Sequence, residues 1–192
     1  MTFFRRLERS LTAVAGLLPA AMAVNIGVGE VVARLQLPIY LDSVGTVLVA
    51  ALAGPWAGLV TGVLSNLVWG LLLRPTAAPF AVTAAVIGLV SGLLAAQGIF
   101  GAWWKALLGG LFMGLVAAVV SAPIAAYVFG GVTGGGYDLI VALLLAGGQG
   151  LFEAVLTQSI LTDLADKALT FLIVWAVLQN LPPRYFERFR QP

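Results

Sequence analysis

The chain reads as an all-α integral membrane protein: a six-transmembrane-helix bundle with both termini cytoplasmic and short extra helices in the outer loop before the last span. Three observations predict this. Hydrophobic residues fill 61% of the 192 positions, charged residues only 9%, and the mean hydropathy is +1.05. That is more apolar surface than one soluble core can hide, so lipid is the solvent. Apolar runs of helical length alternate with short breaks built on Pro and Gly, and the charges gather at the edges of those runs. Residues 1–192 thus form a single membrane domain with tails at 1–10 and 183–192, placed in a cell membrane as a multi-pass protein. The sequence has neither Cys nor His. This excludes disulfides, thiolate nucleophiles, Ser-His and Cys-His catalysis and His-based metal or haem ligation.

A hydrocarbon layer of roughly 30 Å takes about 20 helical residues, fewer where neighbours shelter a short helix. The first span, 11–33, follows Arg5, Arg6 and Arg9 and is too long for a signal-peptide core; the small-residue site Ala21-Met22-Ala23 leaves cleavage as the alternative. It ends near Arg34, before Leu37-Pro38. The second, 42–53, is short and stops at Gly54. The third, 55–73, opens on Pro55, a residue suited to a first helical turn, and Arg74-Pro75 to Pro79 makes the next turn. The fourth and fifth cover 80–96 and 102–129 on either side of a short loop at Gln97–Gly101. Gly130-Gly131 and Gly134-Gly135-Gly136 form a flexible loop. Residues 137–167 hold an apolar run, then Gly147-Gly148-Gln149-Gly150, then Glu153, Asp163, Asp166 and Lys167, too polar for a simple span. They are expected to fold back as one or two shorter helices, with the sixth span at 164–181 before Pro182-Pro183.

A rival reading makes 138–160 a seventh span, and charge decides against it. Six spans place Arg5, Arg6, Arg9, Lys105, Arg184, Arg188 and Arg190 inside and only Arg34, Arg74 and Lys167 outside. Seven spans put one basic tail outside, against the positive-inside rule. Glu30, Asp42, Asp138, Glu153, Asp163 and Asp166 all fall on the outer side.

The 23 glycines suit close helix packing. Gly16/Ala20, Gly54/Gly58, Gly58/Gly62, Gly88/Gly92 and Gly110/Gly114 are small-xxx-small pairs that serve either packing within the chain or a partner helix.

Polar residues at membrane depth are expensive and point to function. They concentrate in the outer half: Asn25, Glu30, Asp42, Ser43, Asn66, Trp69, Gln149, Glu153, Gln158, Asp163, Asp166 and Lys167. A pocket open outside and closed below suits capture, whereas a channel needs polar groups along its whole length. Asp42, Asn66, Trp69, Arg74, Gln149, Glu153, Asp166 and Lys167 are the candidate substrate-binding residues. Several have a plainer alternative. Asp163 and Asp166 open a helix in the six-span reading, where carboxylates favour the helix dipole, and Asp163 and Lys167 have i,i+4 spacing. Gln149 and Glu153, four apart, are a helix-to-helix pair or a pocket wall. Trp69 is a lipid-belt residue, or stacks with Asn66 on a flat heterocycle. Trp103 and Trp104 flank Lys105 as an anchoring belt at the inner boundary.

Leu41-Asp42-Ser43-Val44-Gly45-Thr46-Val47-Leu48, the run Leu52-Ala53-Gly54-Pro55-Trp56-Ala57-Gly58-Leu59-Val60-Thr61-Gly62, Ser65-Asn66-Leu67, Asp163-Leu164-Ala165-Asp166-Lys167-Ala168-Leu169 and Leu181-Pro182 carry a resemblance. In their order and spacing, over roughly residues 10–183, they resemble the substrate-binding S component of an energy-coupling factor (ECF) transporter, in the broad subgroup associated with riboflavin and related vitamins. The resemblance implies a high-affinity capture subunit of an ABC importer that binds a vitamin or vitamin precursor outside and releases it inside by toppling. It also implies a membrane coupling protein and two cytoplasmic ATPases as partners. Ala13, Gly16 and Ala20 are the positions that match the docking face of the first helix, and loops near 34–41, 74–79 and 130–150 the gate. A flat, mostly neutral heterocycle fits the aromatic faces of Trp69, Phe80 and Tyr137. No cofactor, metal or nucleic acid is expected, and no Gly-xxxx-Gly-Lys-Ser/Thr loop places ATP hydrolysis in this chain. The competing readings are a stand-alone proton- or cation-coupled transporter using Asp42, Glu153 or Asp163, and a lipid-directed enzyme using Asp163 and Asp166.

Overall fold

The computed structural model describes the backbone of residues 2–182 and the side chains of residues 16–182. The side chains of Arg5, Arg6, Arg9 and Ala13, and all of 183–192 with Arg184, Arg188 and Arg190, lie outside the described residues. Every regular element among those described is helical: α1 Thr2–Arg34, α2 Val44–Ala53, α3 Pro55–Leu72, α4 Ala81–Ala96, α5 Trp103–Phe129, α6 Asp138–Ala146 and α7 Leu151–Asn180. Two 3₁₀ turns, Pro75–Phe80 and Ile99–Gly101, lead into α4 and α5.

The breaks follow backbone chemistry. Gly54, at φ 92°, closes α2, and Pro55 opens α3 at once, since its missing N–H is no loss in a first turn. α5 ends where Gly130 and Gly131 turn left-handed, at φ 61° and 83°, and their N–H groups return to Ala126 and Ala125 carbonyls.

Four stretches are long and apolar enough to cross a membrane: Gly16–Arg34, Pro55–Leu72, Pro75–Ala96 and Trp103–Phe129. These are the marks of a helical membrane protein. α2, with 10 residues, reaches about 15 Å. α7, with 30 residues, reaches about 45 Å but carries Glu153, Asp163, Asp166 and Lys167.

α7 corrects the expectation of a sixth span beginning at 164. It starts at Leu151 and runs unbroken through the acidic segment, so the stretch between α5 and α7 holds one short helix, α6, and not a second. Average polarity suggested a break, but Gln158, Asp163, Asp166 and Lys167 are all buried. The polar residues turn inward while Leu161, Ala165 and Leu169 face out. Asp163 and Asp166 are therefore mid-helix residues and not first-turn caps.

Backbone contact at glycine builds the bundle. A Cβ on Gly58 or Gly88 would strike the facing backbone of α4 or α3, and one on Gly110 or Gly114 would strike α7 at Lys167–Ala168 and Asp163–Leu164. Gly62 and Gly92 pack in the same way, against Ala84 and Pro55. These small-residue pairs are used inside the chain. A Cβ on Gly16 would meet nothing within 4 Å among the described residues, and both Gly16 and Ala20 are exposed. Asn25 adds a polar rivet: its amide N–H₂ donates to Thr46 (2.8 Å) and Ser65 (3.0 Å), and its carbonyl accepts from the Gly45 N–H (2.7 Å), joining α1, α2 and α3.

The core divides along the bundle. Val47, Ile87, Met113, Ala117, Phe171, Val174 and Leu178 form an apolar cluster reaching the end near Phe100, where the Phe100 and Phe171 rings lie 5.3 Å apart. At the other end Ala122, Ala126, Val141, Ala154 and Val155 seat α6 on α5 and α7. Trp103 and Trp104 are exposed beside Lys105, at the far end of α5 from that seat.

Candidate functional site

A cavity opens at the end of the bundle formed by the 35–43 loop, the Pro75–Phe80 turn, the 130–137 loop and the first half of α7. Its volume is about 100 Å³, room for several waters. Its floor is apolar: Ile87 lines the cavity and also belongs to the core beneath it.

α7 supplies one wall. Val155, Ser159, Asp163 and Lys167 stand at four-residue steps, so one helix face presents all of them, with Gln158 beside them. Lys167 is 2% exposed. Its ammonium donates to the Asp166 carboxylate and to the Ser43 hydroxyl (3.0 Å), lies 3.9 Å from Asp42, and sits 5.7 Å above the Tyr40 ring. The i,i+4 partner read from the sequence, Asp163, is not the one it binds; Lys167 pairs with Asp166 and, more distantly, Asp42.

Asp166, fully buried, is set behind the wall. One of its oxygens accepts the N–H groups of Tyr40 (3.0 Å) and Leu41 (2.6 Å). It thereby holds the 35–43 loop over the cavity, where Leu41 adopts φ 50°. Charge-assisted bonds to amides are among the stronger ones a protein makes. Burial, with the Asp163 carboxylate near it, keeps the Tyr40 phenol protonated well above its usual range. Its oxygen accepts from the Gln158 amide at 3.3 Å.

α3 supplies the opposite wall with Asn66 and Trp69. The Trp69 indole packs on α1 where Gly29 leaves room, is 7% exposed, and donates its N–H to Glu30 at 3.0 Å. It faces inward, away from a lipid belt. Glu30 also pairs with Arg34 (2.7 Å) and lies 3.6 Å from Arg74. The Arg74 guanidinium lies 5.9 Å from the Trp69 ring centre and donates to the Gly134 carbonyl at 3.1 Å. The roof is tied by Asp138, which accepts the Thr133 and Gly134 N–H groups, and by Tyr137, whose ring centre is 4.7 Å from that of Tyr40.

Of the sequence candidates, Asp42, Asn66, Trp69, Arg74 and Lys167 line one cavity, and Asp166 positions Lys167 and the loop above it. Gln149 and Glu153 are not brought there. Gln149 precedes α7 in the α6–α7 linker and Glu153 is exposed on the outside of its first turn. Sequence reasoning missed Tyr40, Thr83, Ser121 and Ser159, all cavity-lining, and left Asp163 out of the candidate set. The 155-159-163-167 spacing was the available signal for Ser159 and Asp163. Thr83 and Ser121 lie in otherwise ordinary apolar helices and gave none.

The cavity brings the Tyr40, Tyr137 and Trp69 rings together with hydrogen-bonding groups from α3, α4 and α7. No protein-family model, characterised protein or solved structure matches the chain.

Proposed function

We propose that the protein is a membrane capture subunit for a small, flat, vitamin-like solute, working in the manner of an ECF-type S component. Six crossings serve this reading: the four apolar spans, α7, and the short α2 sheltered among its neighbours. The positive-inside pattern then faces the cavity outward, with both tails in the cytoplasm of a prokaryotic cell. The observation that carries the reading is the dead-end shape. Polar and aromatic groups line a cavity at one end of the bundle, while Met113, Ala117, Phe171 and Val174 close the path below it. A channel needs polar lining throughout; a receptor needs a pocket and a floor. Release to the inside therefore depends on movement of the whole bundle or on partners, a membrane coupling protein and two ATPases. The exposed Gly16 and Ala20 on α1 offer such a partner a close approach.

A stand-alone proton- or cation-coupled transporter is the second reading, favoured by one observation: Asp163 is a deeply buried cavity carboxylate.

The test is native mass spectrometry of the detergent-purified chain, then denaturing extraction of any bound small molecule. A stoichiometric heterocycle is the expected result, with a coupling protein and ATPases retained in a gentle affinity purification from the native membrane. An empty chain that retains neither partner class, and that takes up solute alone in proteoliposomes, would replace this reading with the second.

A further inference from the structure

Within the capture reading, the geometry points to a ligand that carries a positive charge: a planar organic cation, either an aromatic amine or a cationic ring, with Asp163 and Asp42 as its counter-charges. The sequence suggested a neutral heterocycle; the placement of charge argues otherwise. Asp42, Asp163 and Asp166 gather around a single cation, Lys167, which is spent on Asp166 and Ser43. Arg74, the other cation lining the cavity, lies 3.6 Å from Glu30 and against the Trp69 face and donates to the Gly134 carbonyl, its Nε–H having no hydrogen-bond partner among the described residues. Asp138 also lines the cavity, but its oxygens accept loop amides.

That leaves one buried cavity carboxylate, Asp163, short of a partner, with a second, Asp42, only loosely paired. Asp163 is 3% exposed, and its only hydrogen bond among the described residues is one of 3.5 Å from the Ser121 hydroxyl. Asp42, whose side chain is 25% exposed, has Lys167 at 3.9 Å, an ion pair without a hydrogen bond. A carboxylate buried without a partner is costly, more so inside a bilayer, and an added anion would deepen the cost. An incoming cation removes it.

Two further features point to a ligand and not to an acidic cluster alone. Thr83 lines the same cavity at 7% exposure, and its hydroxyl has no partner, although buried hydroxyls are ordinarily bonded. The Tyr40, Tyr137 and Trp69 rings line the same cavity, Tyr40 and Trp69 each already with a cation near one face, and aromatic faces attract cations and flat rings alike.

The test uses three planar bicyclic probes of similar shape and different charge: 1-methylquinolinium, 2-naphthamide and 2-naphthoate. Each is titrated into the purified full chain in nanodiscs. The readout is tryptophan quenching, with Trp69→Phe subtracting the signal of the other tryptophans. The expected result is tightest binding of 1-methylquinolinium, weakened by about tenfold or more in Asp163→Asn, as befits loss of a charge-assisted contact. The naphthamide should change little in the same variant. Equal or tighter binding of the amide or the carboxylate overturns the charge assignment and leaves the capture reading standing. No Trp69-dependent quenching by any probe, up to millimolar concentration, removes both. The wild-type ranking decides the matter even where Asp163→Asn fails to fold.

Discussion

The two halves of α7 are held by different physics. From Gln158 to Lys167 its inward face is polar, and it is fixed by directed bonds: Gln158 to Tyr40 and Thr162, Lys167 to Ser43, Asp166 to two loop amides. From Phe171 to Leu178 the inward face is apolar and held by packing alone, on Met113, Phe100 and Ala106. Lipid is as apolar as a leucine, so the lower half gains little from hydrophobic burial and relies on close fit. The upper half gains from partners that lipid cannot replace. One helix therefore combines a stiff, fitted base with a polar half whose bonds are available for rearrangement around a ligand.

The sharpest way to break that contrast is Asp166→Ala. It leaves Lys167 buried without its closest counter-ion and frees the Tyr40 and Leu41 amides, a class of change that costs about 3–5 kcal/mol. Asp166→Asn, which keeps an acceptor but not the charge, should cost less. Thermal unfolding in detergent, followed by circular dichroism, ranks them. If Asp166→Ala melts with the wild type, the upper half is not held by its wiring.

Phe171→Ala probes the other half. In a water-soluble core this truncation costs about 3–5 kcal/mol, from lost transfer energy plus a cavity. Here the transfer part shrinks, so a loss of about 1–3 kcal/mol is expected. The same unfolding assay reads it. A loss equal to that of Asp166→Ala would mean that the two halves are not distinguished by their surroundings.

Thr83 and Ser91 make a finer pair on α4. Both hydroxyls are buried and unpartnered, but Thr83 lines the cavity and Ser91 lies outside its lining. Thr83→Val removes an unpaired polar group from the empty protein and should leave stability unchanged or raised by about 1 kcal/mol, while weakening ligand binding about 5- to 10-fold. Ser91→Ala should match its effect on stability and leave binding alone. A binding loss in Ser91→Ala equal to that in Thr83→Val would sever the hydroxyl from the cavity.

Much of the bundle was legible because lipid forces long apolar runs and Pro and Gly punctuate them. α2 to α5 lie within two residues of their expected bounds, as Gly54-Pro55, Arg74-Pro75 and Gly130-Gly131 required. α7 was misjudged because the composition of a segment does not say which way its residues face. The same limit applied to the site. Asp42, Asn66, Trp69 and Lys167 stood out as polar or aromatic groups at membrane depth, and they do meet. Tyr40 and Asp163 gain their roles from a loop folded back over α7, a contact of more than 100 residues' separation between Tyr40 and Asp166. Asn25, equally conspicuous in sequence, proved to be a rivet between helices because Thr46, Ser65 and the Gly45 amide consume its hydrogen bonds.

The smallest expected effect is also the cleanest control on the outline of the cavity. Glu153 and Gln149 looked as much like pocket residues as Lys167 did, since all three are polar groups in an apolar context. Yet Glu153 is exposed on the first turn of α7, Gln149 lies in the linker before it, and neither lines the cavity. Glu153→Ala should change stability by no more than about 0.5 kcal/mol, the usual range for surface sites, and Gln149→Ala, which removes a buried oxygen without a hydrogen-bond partner, should not destabilise; both should leave ligand affinity within error of the wild type. Glu153 stands at the helix N-terminus, where a carboxylate interacts favourably with the helix dipole, so its small effect should be a destabilisation. A severalfold loss of affinity in either variant, with the melting temperature unchanged, would extend the site past the roof formed by the 130–137 loop. The α6–α7 linker would then belong to the ligand's path into the cavity and not to the outer surface alone.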